Sequence, residues 1–298
     1  MFKKLLFVFL FFFCSVSYSQ IGGKYTYQFL NLITSPRQAA LGGKTITIYD
    51  NDVNQVHFNP ATINADMDNH LALNYGSYFK EVTYGTASYA YTYDRHLQTF
   101  QAGVNYVNYG NFDGYDENGQ ATSSFSGSEI ALSLGYSYNI PNTTIHIGAN
   151  AKLISSNLES YSSLGGAIDI GALFIDERND VNWGLVIRNI GTQFTTYSGT
   201  NEKLPLEIIA GVSQELENVP IRWHLTLENL QQWNIAFSNP VRAENSIEEL
   251  KILEQRNFSG VSLGFGLKLN KLKFNYSYSR YTLAGNTSLF GLTINFQE

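Results

Sequence analysis

The 298-residue sequence has one cysteine, two methionines and six prolines, and after its first twenty residues it has no long apolar run. Each shortage excludes something. Cys14 lies within MFKKLLFVFLFFFCSVSYSQ. There Lys3 and Lys4 precede an apolar stretch from Leu5 to Phe13, and Ser17 and Ser19 hold the small-residue positions before Gln20, so residues 1–19 read as a secretory signal peptide. Phe13 stands where a lipidated cysteine would need a small neighbour, so Cys14 belongs to the signal core. The mature chain then carries no thiol, which excludes disulfides, cysteine nucleophiles and thiolate metal sites. Without an apolar run of about 18 residues no helix crosses a membrane, so an integral mature chain must be a closed β-barrel, the other structure that satisfies its own backbone in lipid. Basic residues are also scarce: 19 against 25 acidic ones give a net charge of −6, and −6 less Lys3 and Lys4 is −8, a poor match for nucleic acid.

What the chain has in abundance is 20 Phe, 20 Tyr and 25 Gly. In KLKFNYSYSRYTLAGNTSLFGLTINFQE, residues 271–298, Phe274, Tyr276 and Tyr278 alternate with Asn275, Ser277 and Ser279. Phe290, Leu292, Ile294 and Phe296 alternate with Gly291, Thr293 and Asn295. A half-buried strand of a soluble sandwich carries Lys and Glu on its wet face; here that face is small and uncharged while the other carries whole rings, which suits a lipid-facing wall around a polar interior. The same period of two recurs at 70–79, 82–93, 97–109, 127–138, 143–155, 164–175, 181–190, 204–213, 220–231, 259–269, 271–280 and 286–296. In IRWHLTLENL, Ile221, Trp223, Leu225 and Leu227 point one way and Arg222, His224, Thr226 and Glu228 the other. With the C-terminus in the periplasm, the connections at 270–271, 217–219, 176–180, 139–142 and 94–96 are short and periplasmic, whereas 110–126, 155–163, 191–203 and 232–258 lie outside and are mostly longer, the one near Lys80 being a tight exception. The predicted fold is all-β: a transmembrane antiparallel β-barrel of residues 70–298 with residues 20–69 as an N-terminal plug.

One helix is predicted, at 246–257, where Ser246 and Glu249 form a capping box and Ile247, Leu250 and Leu253 make one apolar stripe in an extracellular loop. With the aromatic loop residues Phe112, Tyr115 and Phe125, these three are the candidate partner-binding residues. No catalytic, cofactor or metal site is predicted. His57, His70, His96, His146 and His224 are scattered, Asp50-Asn51-Asp52 lacks the rest of a calcium loop and reads as a turn, and no G-x-S-x-G elbow presents a nucleophile. Gly264 and Gly266 read as small residues that leave interior space or mark a bend in a strand.

The most specific stretch is YQFLNLITSPRQAALGGKTITIYDNDVNQVHFNPATI, Tyr27 to Ile63. It resembles the opening of the PorV/PorQ family of type IX secretion outer-membrane proteins, itself related to FadL-like transporters. The matching positions are Ser35, Arg37, Gln38, Ala39, Ala40, Leu41, Gly42 and Gly43, then Asn59, Pro60 and Ala61. Gly42-Gly43 offers a turn without side chains, Ala39-Ala40 permits close packing, and Asn59-Pro60 favours a fixed turn or helix start. The resemblance implies a barrel of about 14 strands, two of them hidden in 44–58 or 192–203, located in the bacterial outer membrane. It further implies a non-enzymatic role in the complex that attaches type IX cargo to the cell surface, with PorZ, PorU and PorV as partners and the peptidase work done by PorU. The alternative is a FadL-like transporter of hydrophobic small molecules, which the polar inward positions disfavour. A general porin is disfavoured by the plug.

Overall fold

The computed structural model describes residues 25–78, 82–94, 98–116, 118–217, 219, 221–231, 262–282 and 285–296. The signal peptide and the helix at 246–257, with Ile247, Leu250 and Leu253, lie outside the described residues. Twelve strands follow the N-terminal segment: β1 (His70–Ser77), β2 (Thr83–Asp94), β3 (Gln98–Phe112), β4 (Phe125–Asn139), β5 (Ile145–Leu158), β6 (Tyr161–Asp176), β7 (Val181–Thr195), β8 (Glu207–Glu215), β9 (Arg222–Leu227), β10 (Ser262–Leu269), β11 (Leu272–Thr282) and β12 (Gly285–Asn295). They form one antiparallel sheet in the order β10-β11-β12-β1-β2-β3-β4-β5-β6-β7-β8-β9. Each of the twelve alternating segments of the sequence coincides with one strand. The first and last strands are neighbours, in register from His70 opposite Asn295 to Ser77 opposite Ser288.

Three expectations change. Residues 44–58 and 192–203 hold no additional strand: Val53–His57 is a 3₁₀ turn and β7 simply continues to Thr195, so the described residues carry twelve strands. The expected loop 155–163 is a two-residue connection, Glu159–Ser160, between β5 and β6. Ser155, Ser156, Asn157, Ser162 and Ser163 extend these strands where neither face needs to be apolar, so alternation no longer marks them. Gly264 is occupied space, not free space, as described below.

Side chains separate cleanly by face. Leu132, Leu134, Ile147, Leu153, Ile168, Ile170, Leu185, Phe274 and Phe290 are exposed on one face, while Ser88, Gln101, Ser133, Asn150, Asp169, Ser213, Ser277 and Thr293 are buried on the other. Aromatic rings pair across neighbouring strands of the apolar face, Phe265 to Tyr276 at 5.7 Å and Tyr276 to Phe290 at 5.0 Å. A monomer in water rarely exposes a contiguous apolar patch above a few hundred Å², so this continuous band calls for lipid. Leu134, 70% exposed, provides a test. Leu134→Arg should cost about 2–4 kcal/mol in a bilayer. Chemical unfolding in phosphatidylcholine vesicles would measure it, and an unchanged midpoint would mean that this face meets water.

The other face packs against residues 25–69. That segment is a chain of short turns: 3₁₀ at Gln28–Asn31, Val53–His57, Pro60–Thr62 and Ala65–Met67, and one helix, α1 (Pro36–Ala40). Their starts explain their brevity. Ser35 caps α1 with Pro36 at its first position, and the side chains of Asp52, Asn59 and Asn64 accept from the backbone N–H of Asn54, Ala61 and Asp66, so each polar residue opens a turn of its own. Val53, Val56, Ile63 and Met67 pack with Ala72 of β1 and Ala90 of β2. Ile46 and Phe58 pack with Val186 of β7 and Ile209 of β8. Both ends of the sheet reach the same few residues. Lys44 pairs at 3.3 Å with Glu228 just after β9, and a methyl placed on Gly264 of β10 would lie 2.5 Å from that of Ala40. The wall therefore curls around the segment. Among the described residues β9 and β10 share no pairing.

Candidate functional site

The family-like residues form the local scaffold of the N-terminal segment. Arg37 projects from α1 to Asp50 at 2.6 Å and Asp52 at 3.5 Å. Burial opposes its charge, but the two carboxylates more than offset this and raise its pKa above the ordinary arginine value. Asp50-Asn51-Asp52 is a bend in which the Asp50 side chain accepts from the Asp52 N–H at 3.0 Å, and its two carboxylates are the counter-ions of Arg37. Gln38, fully buried, donates to the Thr45 carbonyl at 3.0 Å and accepts from the Thr45 N–H at 2.6 Å, and it also bonds Gln55. The stretch from 38 to 45 can close because α1 ends in Gly42 and Gly43, with φ of +89° and +150°, whose N–H groups return to the carbonyls of Ala39 and Gln38. Leu41 lies exposed at that end.

Asn59, Pro60 and Ala61 make the second fixed point. The Asn59 side chain accepts from Ala61 N–H at 2.9 Å and donates to the Ile46 carbonyl at 2.8 Å. This corner sits in a notch of the wall formed by Gly148 of β5 and Gly171 of β6, which face each other in register. A Cβ on Gly148 would lie 2.3 Å from the Pro60 carbonyl oxygen, and one on Gly171 would lie 2.1 Å from Asn59 Oδ1.

Between these points lies an ionic cluster that the sequence analysis did not single out. Glu207 of β8, 1% exposed, accepts from Lys44 Nζ at 2.5 Å and from Arg188 Nη1 of β7 at 2.9 Å. Arg188, equally buried, also donates to the Leu30 carbonyl at 3.0 Å and lies over the Phe58 ring, 5.6 Å from its centre. A second pair, Lys152 to Asp169 at 2.6 Å, is tied to Asn189. The only hint in the sequence was polar residues at inward positions, which Lys152 already displayed.

His96 lies outside the described residues, and three of the other four histidines are engaged. His57 Nε2 is 2.7 Å from Ser88 Oγ; burial, reinforced by Lys152 and Arg188, pushes its imidazole down to about 4, so it is neutral. His70 bonds the Asp68 carbonyl and His146 meets Tyr49, but Nδ1 of His224 is buried with no hydrogen-bond partner. His224 lines a chamber of about 450 Å³ between α1 and the β9 and β10 ends of the wall, together with Arg37, Arg222, Lys273 and Phe265. No group of His, Cys, Asp or Glu among the described residues could hold a metal ion.

Of the candidate partner-binding residues, Phe112 and Phe125 come together at the loop end, as opposite residues of β3 and β4 with ring centres 5.3 Å apart. Tyr115 is exposed in the following loop, where it bridges to Ala121, and does not join them.

The described residues thus form a twelve-stranded antiparallel wall, apolar on its outer face and packed on its inner face against the N-terminal segment. The crystal structure of the Ralstonia pickettii toluene transporter TbuX is similar in fold, with a TM-score of 0.50 at 11% identity over 90% of this chain and 99% of that one. A Pseudomonas aeruginosa FadL homologue matches with a TM-score of 0.46 at 10% identity, over 89% of this chain and 99% of its own. No family model and no curated protein matches the chain.

Proposed function

We propose that the chain is a non-enzymatic outer-membrane barrel of the type IX secretion system, plugged by its own N-terminal segment and serving as a membrane anchor for proteins that attach cargo to the cell surface. The observation that carries this reading is the occupied interior. Residues 25–69 fill the inner face, and the buried Lys44–Glu207–Arg188 cluster ties them to the wall, which favours a platform over a conduit. The link to type IX secretion rests on the resemblance of Tyr27–Ile63, and PorZ, PorU and PorV come with it as partners. The roles of Ser35, Arg37, Gly42, Gly43 and Asn59 in holding the segment together support that stretch as a signature of this fold.

A second reading, transport of hydrophobic small molecules, is favoured by the chamber at the β9–β10 side and by the likeness to a toluene transporter. Deleting the gene in its source organism separates the two. Under the first reading, type IX cargo should be lost from the surface and accumulate in the periplasm or the medium. Normal anchoring with impaired uptake of hydrophobic solutes would establish the second and discard the first.

A further inference from the structure

At the loop end, on the side of the wall that faces inward lower down, Tyr109, Phe112, Phe125 and Leu158 line a slot of about 390 Å³ with Glu159 at its rim. The two Phe rings are stacked and partly exposed, 44% for Phe112 and 38% for Phe125. Tyr109 donates its hydroxyl proton to Glu129, a carboxylate only 4% exposed. Glu159 thus places negative charge at the rim of the slot beside the two Phe rings, and no basic residue lines the slot.

The surroundings carry the same sign. From residue 96 to 151, and again from 153 to 177, the sequence has no Lys or Arg. The loop end built by β3, β4, β5 and β6 contributes Asp113, Asp116 and Glu159, none of which joins an ion pair among the described residues. Aromatic faces backed by carboxylates attract cations through the ring quadrupole, and Arg does so more often than Lys. Within a chain whose buried Arg188 and Lys152 are paired to carboxylates, an acidic and aromatic recess with no basic residue in its lining is complementary to something basic from outside.

We propose that this slot receives an arginine or lysine side chain from a basic surface of a partner protein, with the Phe112–Phe125 pair as the seat and Glu159 as the counter-ion. The proposal needs only that the loop end be accessible to other proteins, so it stands or falls separately from the attachment role.

The test is binding of an acetylated, amidated hexa-arginine peptide to the full chain in non-ionic detergent, with hexacitrulline as the uncharged isostere. Hexa-arginine should bind at least about tenfold more tightly than hexacitrulline, and Phe125→Leu and Glu159→Gln should each weaken it by about three- to tenfold. Asp176→Asn, at the opposite end of the wall, should leave binding unchanged. Both slot substitutions are at exposed positions, and an unaltered thermal midpoint would show that the fold is intact; Phe112→Leu is the replacement should Phe125→Leu fail to fold. Equal binding of the two peptides, wild-type affinity in the slot variants, or no binding at all would overturn the proposal.

Discussion

Gly148→Ala is expected to destabilise the protein by about 3 kcal/mol or more, in the upper part of the range for overpacked interiors. The added methyl would lie 2.3 Å from the Pro60 carbonyl oxygen and 2.6 Å from the Ala61 nitrogen. These are backbone atoms of a corner held by the Asn59 cap and by a proline ring, so neither can move aside cheaply. Gly171→Ala meets the Asn59 side chain instead. Its cost should be smaller and should fall further when combined with Asn59→Ala, which removes the obstructing oxygen, whereas Gly148→Ala, obstructed by the backbone of Pro60 and Ala61, should gain less from that partner. Gly85→Ala, on the outer face with its nearest contact 3.3 Å away, is the control and should cost under about 1 kcal/mol. Thermal unfolding in detergent, read as the mobility shift of heated against unheated samples, gives the order. Trypsin cleavage after Arg37 and Lys44 reports whether the segment has left its seat. Equal stability of Gly148→Ala and Gly85→Ala would show that the notch does not hold the corner.

Glu207→Ala should cost about 3–5 kcal/mol, because it strands two cations in the interior. Arg188 would keep only the Leu30 carbonyl and the Phe58 ring, and Lys44 only the more distant and more exposed Glu228. The penalty arises from the charge left behind, so the double variant Arg188→Met/Glu207→Leu should be more stable than Glu207→Ala alone. The same unfolding measurement decides this. A loss below about 1 kcal/mol for Glu207→Ala would mean that water reaches Arg188 and Lys44, and that the interior is wetter than its packing indicates.

The wall was legible in the sequence because alternation is a strong constraint wherever one face meets an apolar medium and the other does not. β11 could be read residue by residue from Phe274 to Ser279 and β12 from Phe290 to Asn295. Where both faces are polar the rule is silent, which is why the ends of β5 and β6 near Glu159 read as a loop in the sequence. The scaffold role of Ser35, Gly42, Gly43 and Asn59 was legible because caps and left-handed turns are local chemistry. The partners of these residues were not. Glu207 lies 163 residues after Lys44, with seven strands between them, and only the curl of the sheet brings them together. Gly148 and Gly171 posed a similar difficulty: a glycine that faces inward looks the same in sequence whether it leaves a void or makes room for another segment. Phe112 and Phe125 stand out in the sequence because the strand topology places their aromatic-rich loop outside, and their register as opposite residues on β3 and β4 is what turns two aromatic residues into one surface.

The pairing of β1 with β12 sets the order in which the molecule can assemble. His70 meets Asn295 only after every other strand has been made, so the most non-local seam of the sheet cannot form early. The segment before β1 faces the same delay, since its lock to Arg188 and Glu207 requires β7 and β8 to be in place. Until then, residues 25–69 and the polar face they cover have only each other for shelter. Folding thus has to carry the segment along with the growing wall instead of threading it into a finished one.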